Sequence, residues 1–211
     1  MPSSYEGRDI TIHFDGRRCI HARRCVLGQP EVFTADGGKG WIVPDAANAD
    51  AVIEVAHNCP SGAITYTLPD GTGEAPPRVN TIRITENGPY MVHAQIELDG
   101  EPPRTRAVLC RCGASKRKPF CDNAHIASGF AATGQPEQRE DAVIEARDGP
   151  LTVTPQKNGP LKVSGNMELI AGSGRRVKLA NEVWLCRCGH SANKPFCDSS
   201  HKREGFEAEG V

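Results

Sequence analysis

Residues 109–130 read LCRCGASKRKPFCDNAHIASGF, and residues 185–206 read LCRCGHSANKPFCDSSHKREGF. Every shared position is offset by 76 residues, without a gap. A repeat inside one chain predicts two similar modules packed about a pseudo-two-fold axis. The match continues upstream more weakly: Asn87-Gly88-Pro89 corresponds to Asn158-Gly159-Pro160, at an offset of 71. The five extra residues of the second copy fall mainly in the Gly-rich stretch 171–175.

Working outward, residues 81–85 (TIRIT) and 151–154 (LTVT) alternate or carry β-branched side chains, and an Asn-Gly turn signal follows each. They read as strands. Residues 107–109 and 183–185 read as strands that run directly into the first cysteine of each copy. Gly113 and Gly189, with Pro119 and Pro195, mark irregular loop. Asp122 and Asp198 stand where a helix N-cap would be, with His125 and His201 in the first turn.

The candidate ligands are Cys110, Cys112, Cys121 and His125, then Cys186, Cys188, Cys197 and His201, spaced C-x-C-x8-C-x3-H. Three thiolates and one imidazole complete a four-ligand set. Zinc would accept it as a tetrahedral structural site. A [2Fe–2S] cluster would accept it with two ligands on each iron. Zinc sites commonly space a cysteine pair by two to four residues, so the tight C-x-C favours iron–sulfur. Backbone N–H groups at the short helix start would face an anionic centre.

The pattern C-x-C-x2-S-x3-P-x-C-D-x2-H resembles the CDGSH iron–sulfur domain family. Both copies keep its defined positions: Ser115, Pro119 and Asp122, then Ser191, Pro195 and Asp198. The core departs, reading C-D-N-A-H and C-D-S-S-H, so the family's glycine is replaced by Asn123 and Ser199. The resemblance covers about residues 80–211 and implies one [2Fe–2S] cluster per motif. It also implies that Cys110/Cys112 and Cys186/Cys188 hold an inner iron. Cys121/His125 and Cys197/His201 would then hold an outer, more exposed one. Two motifs in one chain resemble members that replace a homodimer by an internal pseudo-dimer. Three thiolates and a neutral imidazole leave an oxidised cluster with one negative charge rather than two, which raises its potential. An imidazole is also protonated off its metal more readily than a thiolate. Replacing His125 and His201 with cysteine is therefore expected to slow acid-driven loss of visible absorbance. Equally fast decay would refute histidine ligation.

Residues 9–66 carry Cys19, Cys25 and Cys59-Pro60. Where cubane ferredoxins have C-x2-C-x2-C and a distant C-P, the middle position here is Ala22. The stretch resembles divergent single-cluster ferredoxins, which implies a third cluster, either [3Fe–4S] or a [4Fe–4S] with a non-cysteine ligand. The alternative is a domain that has lost its cluster and keeps free thiols. Residues 10–14 and 63–67 read as strands, and Ala49, Val52, Ile53 and Ala56 form one helical face. His21 and His57 read as surface or helix-end histidines. Trp184 reads as core, and His13 and His93 fall in strand-like segments.

The fold class expected is α+β: a small N-terminal ferredoxin-like domain, then two β-rich CDGSH modules packed as an internal pseudo-dimer. The domains are 1–68, a linker at 69–80, and modules at 81–136 and 137–211. Nine cysteines cannot all pair as disulfides, and residues 1–9 contain no apolar run. Both point to a reducing, cytoplasmic setting. A net charge of −1 argues against nucleic acid as partner, and no stretch reaches the apolar length of a membrane helix. Lys116-Arg117-Lys118, with Arg104, Arg106 and Arg111, makes the first copy basic. That face is either solvated loop or a docking surface for an acidic redox partner. No catalytic constellation stands out, so the chain reads as a non-enzymatic electron carrier. Its alternatives are a cluster store that delivers to an apo-acceptor protein, and a zinc-stabilised scaffold.

Overall fold

The computed structural model describes residues 2–35, 37–38 and 40–210. The chain divides into two compact units, Met1–Ala75 and Pro76–Val211. Each has its own buried core.

In the first unit, β1 (Ser3–Glu6), β2 (Thr11–Phe14) and β3 (Ile64–Thr67) form an antiparallel sheet in that order. The sequence signalled β2 and β3; β1 (SSYE) is polar, mostly exposed and carries no alternation to find it by. Two helices follow β2: α1 (Arg24–Gly28) and α2 (Ala49–Asn58). The Asn48 side chain starts α2 by accepting the Ala51 N–H at 2.9 Å. The buried face of α2 is Val52, Val55 and Ala56, while Ala49 and Ile53 flank it. These side chains meet Ile10, Ile12, Phe33 and Ile64 in the core.

The second unit is built on one six-stranded sheet. Its first copy supplies β4 (Thr81–Ile84), β5 (Tyr90–Leu98) and β6 (Arg104–Leu109). Its second copy supplies β7 (Pro150–Pro155), β8 (Leu161–Ile170) and β9 (Arg176–Leu185). β5 shows why it forms: Tyr90, Val92, Ala94, Ile96 and Leu98 alternate inward, with His93 and Glu97 outward. The two short strands share the space between the two long ones. β4 pairs antiparallel with β5 and parallel with β8, whereas β7 pairs antiparallel with β8 and parallel with β5. The parallel registers agree under the 71-residue offset, Thr81 facing Glu168 as Thr152 faces Glu97. β6 and β9 close the outer flanks. All six strands line one core. The five extra residues lengthen the β8–β9 hairpin around its turn at 171–175.

After β6 and β9 the chain enters the ligand loops, each followed by one helical turn: α3 (Ala124–Ala127) and α4 (Ser200–Arg203). The N-cap residues are Asn123 and Ser199, not the aspartates, and both are left-handed, at φ 67° and 69°. The positions at which the family's glycine is missing thus keep the conformation that glycine adopts without strain. Asparagine tolerates it; serine pays more strain. Ser199→Gly is expected to stabilise by about 0.5–1 kcal/mol and Asn123→Gly by less, measurable by chemical denaturation.

Candidate metal centres

Each ligand loop begins where a strand delivers it. The Cys110 N–H donates to the Pro119 carbonyl at 2.8 Å, and the Cys121 N–H to the Val108 carbonyl at 2.9 Å. The second copy repeats this, Cys186 to Pro195 and Cys197 to Trp184, both at 2.8 Å. Ser115 Oγ donates to the Phe120 carbonyl and accepts the Arg117 N–H; Ser191 does the same with Phe196 and Asn193. Asp122 accepts the N–H groups of Lys116 and Ala124 at 2.8 and 3.0 Å, and Asp198 those of Ala192 and Ser200. Each aspartate therefore clamps the loop to the helix start. Burial opposes ionisation of Asp122, but the two N–H donors prevail and hold its carboxyl below the usual range. Hydrogen bonds from Ser200 and Ala192 hold Asp198 well below it. Both clamps contribute above the ordinary carboxylate pKa and are lost as pH falls through the depressed values.

The four candidate ligands of each copy fall into two couples. Cys110 Sγ lies 3.8 Å from Cys112 Sγ, and Cys121 Sγ 3.6 Å from His125 Nδ1. In the second copy the distances are 3.8 Å for Cys186–Cys188 and 3.5 Å for Cys197–His201. Tetrahedral bonds of about 2.3 Å to sulfur and 2.0–2.1 Å to nitrogen place two sulfurs roughly 3.8 Å apart, and sulfur and nitrogen roughly 3.5 Å apart. Each couple is thus spaced for one metal ion, and the imidazole nitrogen turned to it is Nδ1. Within each C-x-C couple one thiol gives its hydrogen bond to the other. The accepting thiol is pulled down by that hydrogen bond and its partner is raised. Burial raises Cys121 and Cys197 and lowers both histidines, which keeps the imidazoles neutral, the form that binds metal.

Burial follows the inner and outer division in the second copy, where Cys186 and Cys188 are buried and Cys197 and His201 partly exposed. In the first copy Cys121 is buried and Cys112 partly exposed, so there the histidine alone marks the exposed side. Four-residue helices have no developed dipole; what reaches the sulfurs is single N–H groups. Ala114 and His190 donate to Cys112 and Cys188, and Asn123 and Ser199 to Cys121 and Cys197, at 3.3–3.5 Å.

Two expectations change. Arg111 and Arg106 are buried, and the Arg104 side chain is covered and paired with Glu101, so the basic face narrows to the 116–118 run. The equivalent Arg187 is also buried. A charged residue in a loop reads as solvated, and nothing in the sequence signals otherwise. Trp184 is not core: it is 41% exposed, with Lys162 over its ring.

In the first unit, Cys19, Cys25 and Cys59 line one cavity of about 530 Å³, together with His21, Ala22, Phe14, Trp41 and Ile64. The backbone is left-handed at His21 and Arg23, which curls the 19–25 loop around it. Burial, then the charges of Cys59 and Cys19, raise the Cys25 thiol. His57 is elsewhere, bonded to the Tyr66 hydroxyl at 3.1 Å.

Both units therefore present cysteine-built sites of the iron–sulfur type. The family described as iron-binding zinc finger, CDGSH type, matches residues 87–126 and 158–202, and the divergent 4Fe-4S mono-cluster family matches residues 5–69. The chain thus carries two CDGSH-type matches behind a divergent mono-cluster ferredoxin domain, and its relatives include a ferredoxin and a CDGSH iron–sulfur domain protein. Ferredoxin-2 of Streptomyces griseolus is 44% identical over 63 residues, which are 28% of this chain and 98% of that protein. The uncharacterized protein YjdI of Escherichia coli is 37% identical over 62 residues, covering 29% and 80%. CDGSH iron-sulfur domain-containing protein 1 of Rattus norvegicus is 47% identical over 45 residues, covering 21% of this chain and 39% of that protein.

Proposed function

We propose that the chain is an electron carrier holding two [2Fe–2S] clusters, one in each CDGSH motif, and a third cluster in the ferredoxin domain. The observation that carries this is the coupling of ligands in pairs. A single zinc ion would draw all four donors into mutual reach, whereas here each couple has the spacing of its own metal. A bound [2Fe–2S] cluster takes up and releases one electron. The chain's part is to fix the ligands through the Ser115/Asp122 and Ser191/Asp198 clamps, and to aim N–H groups at the sulfurs, which raises the potential. Matched registers across β4, β5, β7 and β8 support reading the two copies as an internal pseudo-dimer within a monomer.

In the first unit, three thiols and Ala22 around one cavity suit a [3Fe–4S] cluster, and the likeness to a ferredoxin supports it. A fused ferredoxin keeps its cluster at a high effective concentration through the shared chain, which favours electron transfer over an enzymatic role. The partner would be a soluble redox protein, and the setting cytoplasmic. No helix among the described residues is long and apolar enough to cross a membrane.

Iron, zinc and acid-labile sulfide analysis, with EPR of the oxidised and reduced protein, tests the assignment. Two iron and two sulfide per motif are expected; stoichiometric zinc without sulfide would overturn it. The partial exposure of His125 and His201 favours a second reading, delivery of clusters to an apo-acceptor. Incubation with an apo-ferredoxin separates the two: retained clusters with rapid reduction support electron flow, and transfer of iron and sulfide supports delivery.

A further inference from the structure

Arg111 and Arg187, the middle residues of the two C-x-C units, are each 1% exposed and are the two largest fully buried side chains. Their hydrogen bonds go to main-chain carbonyls. Arg111 donates to Thr85 and Thr133, both at 2.8 Å. Arg187 donates to Gly159, Glu209 and Gln156. Aromatic rings cover them: Tyr90 and Phe130 for Arg111, Phe206 for Arg187. Neither has a carboxylate within ion-pair distance among the described residues, and Arg111 Nε is buried with no partner. Burying a charge without a counter-charge is costly, and stacking on aromatic rings offsets only part of that cost.

The groups that favour the arginines' charge include a cysteine from across the pseudo-two-fold. Burial works against the charge of both arginines. Tyr90, whose ring Arg111 covers, favours its charge most, followed by Cys186 of the second copy, and Cys110 of the first favours Arg187. Glu86 adds to the support of Arg111, and Arg187 also bears on His201 of its own copy. The ligand loops touch in the same crossed sense. A Cβ on Gly113 would stand 2.4 Å from the Cys188 carbonyl oxygen, and one on Gly189 2.5 Å from that of Cys112. The buried Tyr90 hydroxyl, from the first copy, donates to the carbonyls of Cys186 and Pro195 at 3.0 and 2.9 Å.

We propose that each buried arginine takes the cluster of the opposite copy as its counter-charge, and that this crossing makes the two CDGSH clusters bind and leave cooperatively. Arg111 stands between Cys110 and Cys112. Once the second cluster leaves, the arginine is a less compensated charge inside the first cluster's own ligand loop. That loop also loses its ordered neighbour across Gly113. By linkage the effect is reciprocal.

The inference rests on the two-cluster reading, and one experiment separates the two. The full-length protein is analysed for iron, zinc and sulfide, then followed by native mass spectrometry while a chelator at mildly acid pH removes its clusters. Independent sites, whether equal or unequal in rate, must pass through a stage at which about half or more of the molecules carry one CDGSH cluster. A maximum clearly below half is expected. A maximum of half or more overturns the inference and leaves the cluster reading intact; zinc without sulfide overturns both. Arg111→Met with Arg187→Met should bring the maximum back to about half. If the variant retains both clusters and still loses them together, the arginines are not the coupling element.

Discussion

Gly113→Ala and Gly189→Ala should each strip the protein of stable visible absorbance from both CDGSH sites. The new methyl would meet a backbone carbonyl at 2.4–2.5 Å, and that carbonyl belongs to a ligand residue of the other copy. Backbone of a ligand loop cannot step aside as a flexible side-chain tip can. Both glycines are also left-handed, at φ 79° and 86°. Left-handed backbone alone costs an alanine about 1–2 kcal/mol, and overlap in a packed interior adds roughly 1–3 kcal/mol more. Gly129 and Gly205 supply the control, because they share the left-handed backbone, at φ 64° and 58°, with nothing within 4 Å of an added Cβ. Alanine there should show the backbone cost alone and keep its absorbance. If all four variants lost the same stability by chemical denaturation, the cross-copy contact would carry no weight.

The second large effect is a change of cluster type. Ala22→Cys places a fourth thiol on the wall of the cavity that Cys19, Cys25 and Cys59 already line. A [3Fe–4S] cluster is paramagnetic when oxidised, whereas a low-potential [4Fe–4S] cluster becomes so on reduction. The oxidised-state EPR signal should disappear, a new signal should appear on reduction, and the iron content of the ferredoxin domain should rise from three to four. An unchanged spectrum would show that position 22 does not face the open corner.

Much of this was legible in the sequence, for reasons that are local. The 76-residue repeat, the strands running into Cys110 and Cys186, the two Asn-Gly turns and the eight paired donors all follow from neighbouring residues. Asn87 and Asn158 even share one task, each exchanging two hydrogen bonds with the segment after its helix, at Ala132 and Ala208. What sequence could not give is non-local. Parallel pairing of β4 with β8 and of β5 with β7 depends on contacts 50 to 90 residues apart, and no turn signal encodes them. Arg111 and Arg187 donate to carbonyls more than 20 residues away. In a string of letters they look like any loop cation. Trp184 misleads in the opposite direction, as an apolar ring held outside by Lys162 and Glu182.

The interleaving of β4 and β7 bears on the handling of the chain. A half cut out at residue 136 would keep one short strand and expose the edge along which β5 met β7. Neither half is a smaller version of the whole. A single copy of the motif would leave an open strand edge that a second copy covers. The same geometry leaves the chain a hazard: at high concentration during refolding, two molecules can exchange halves and close each other's sheets.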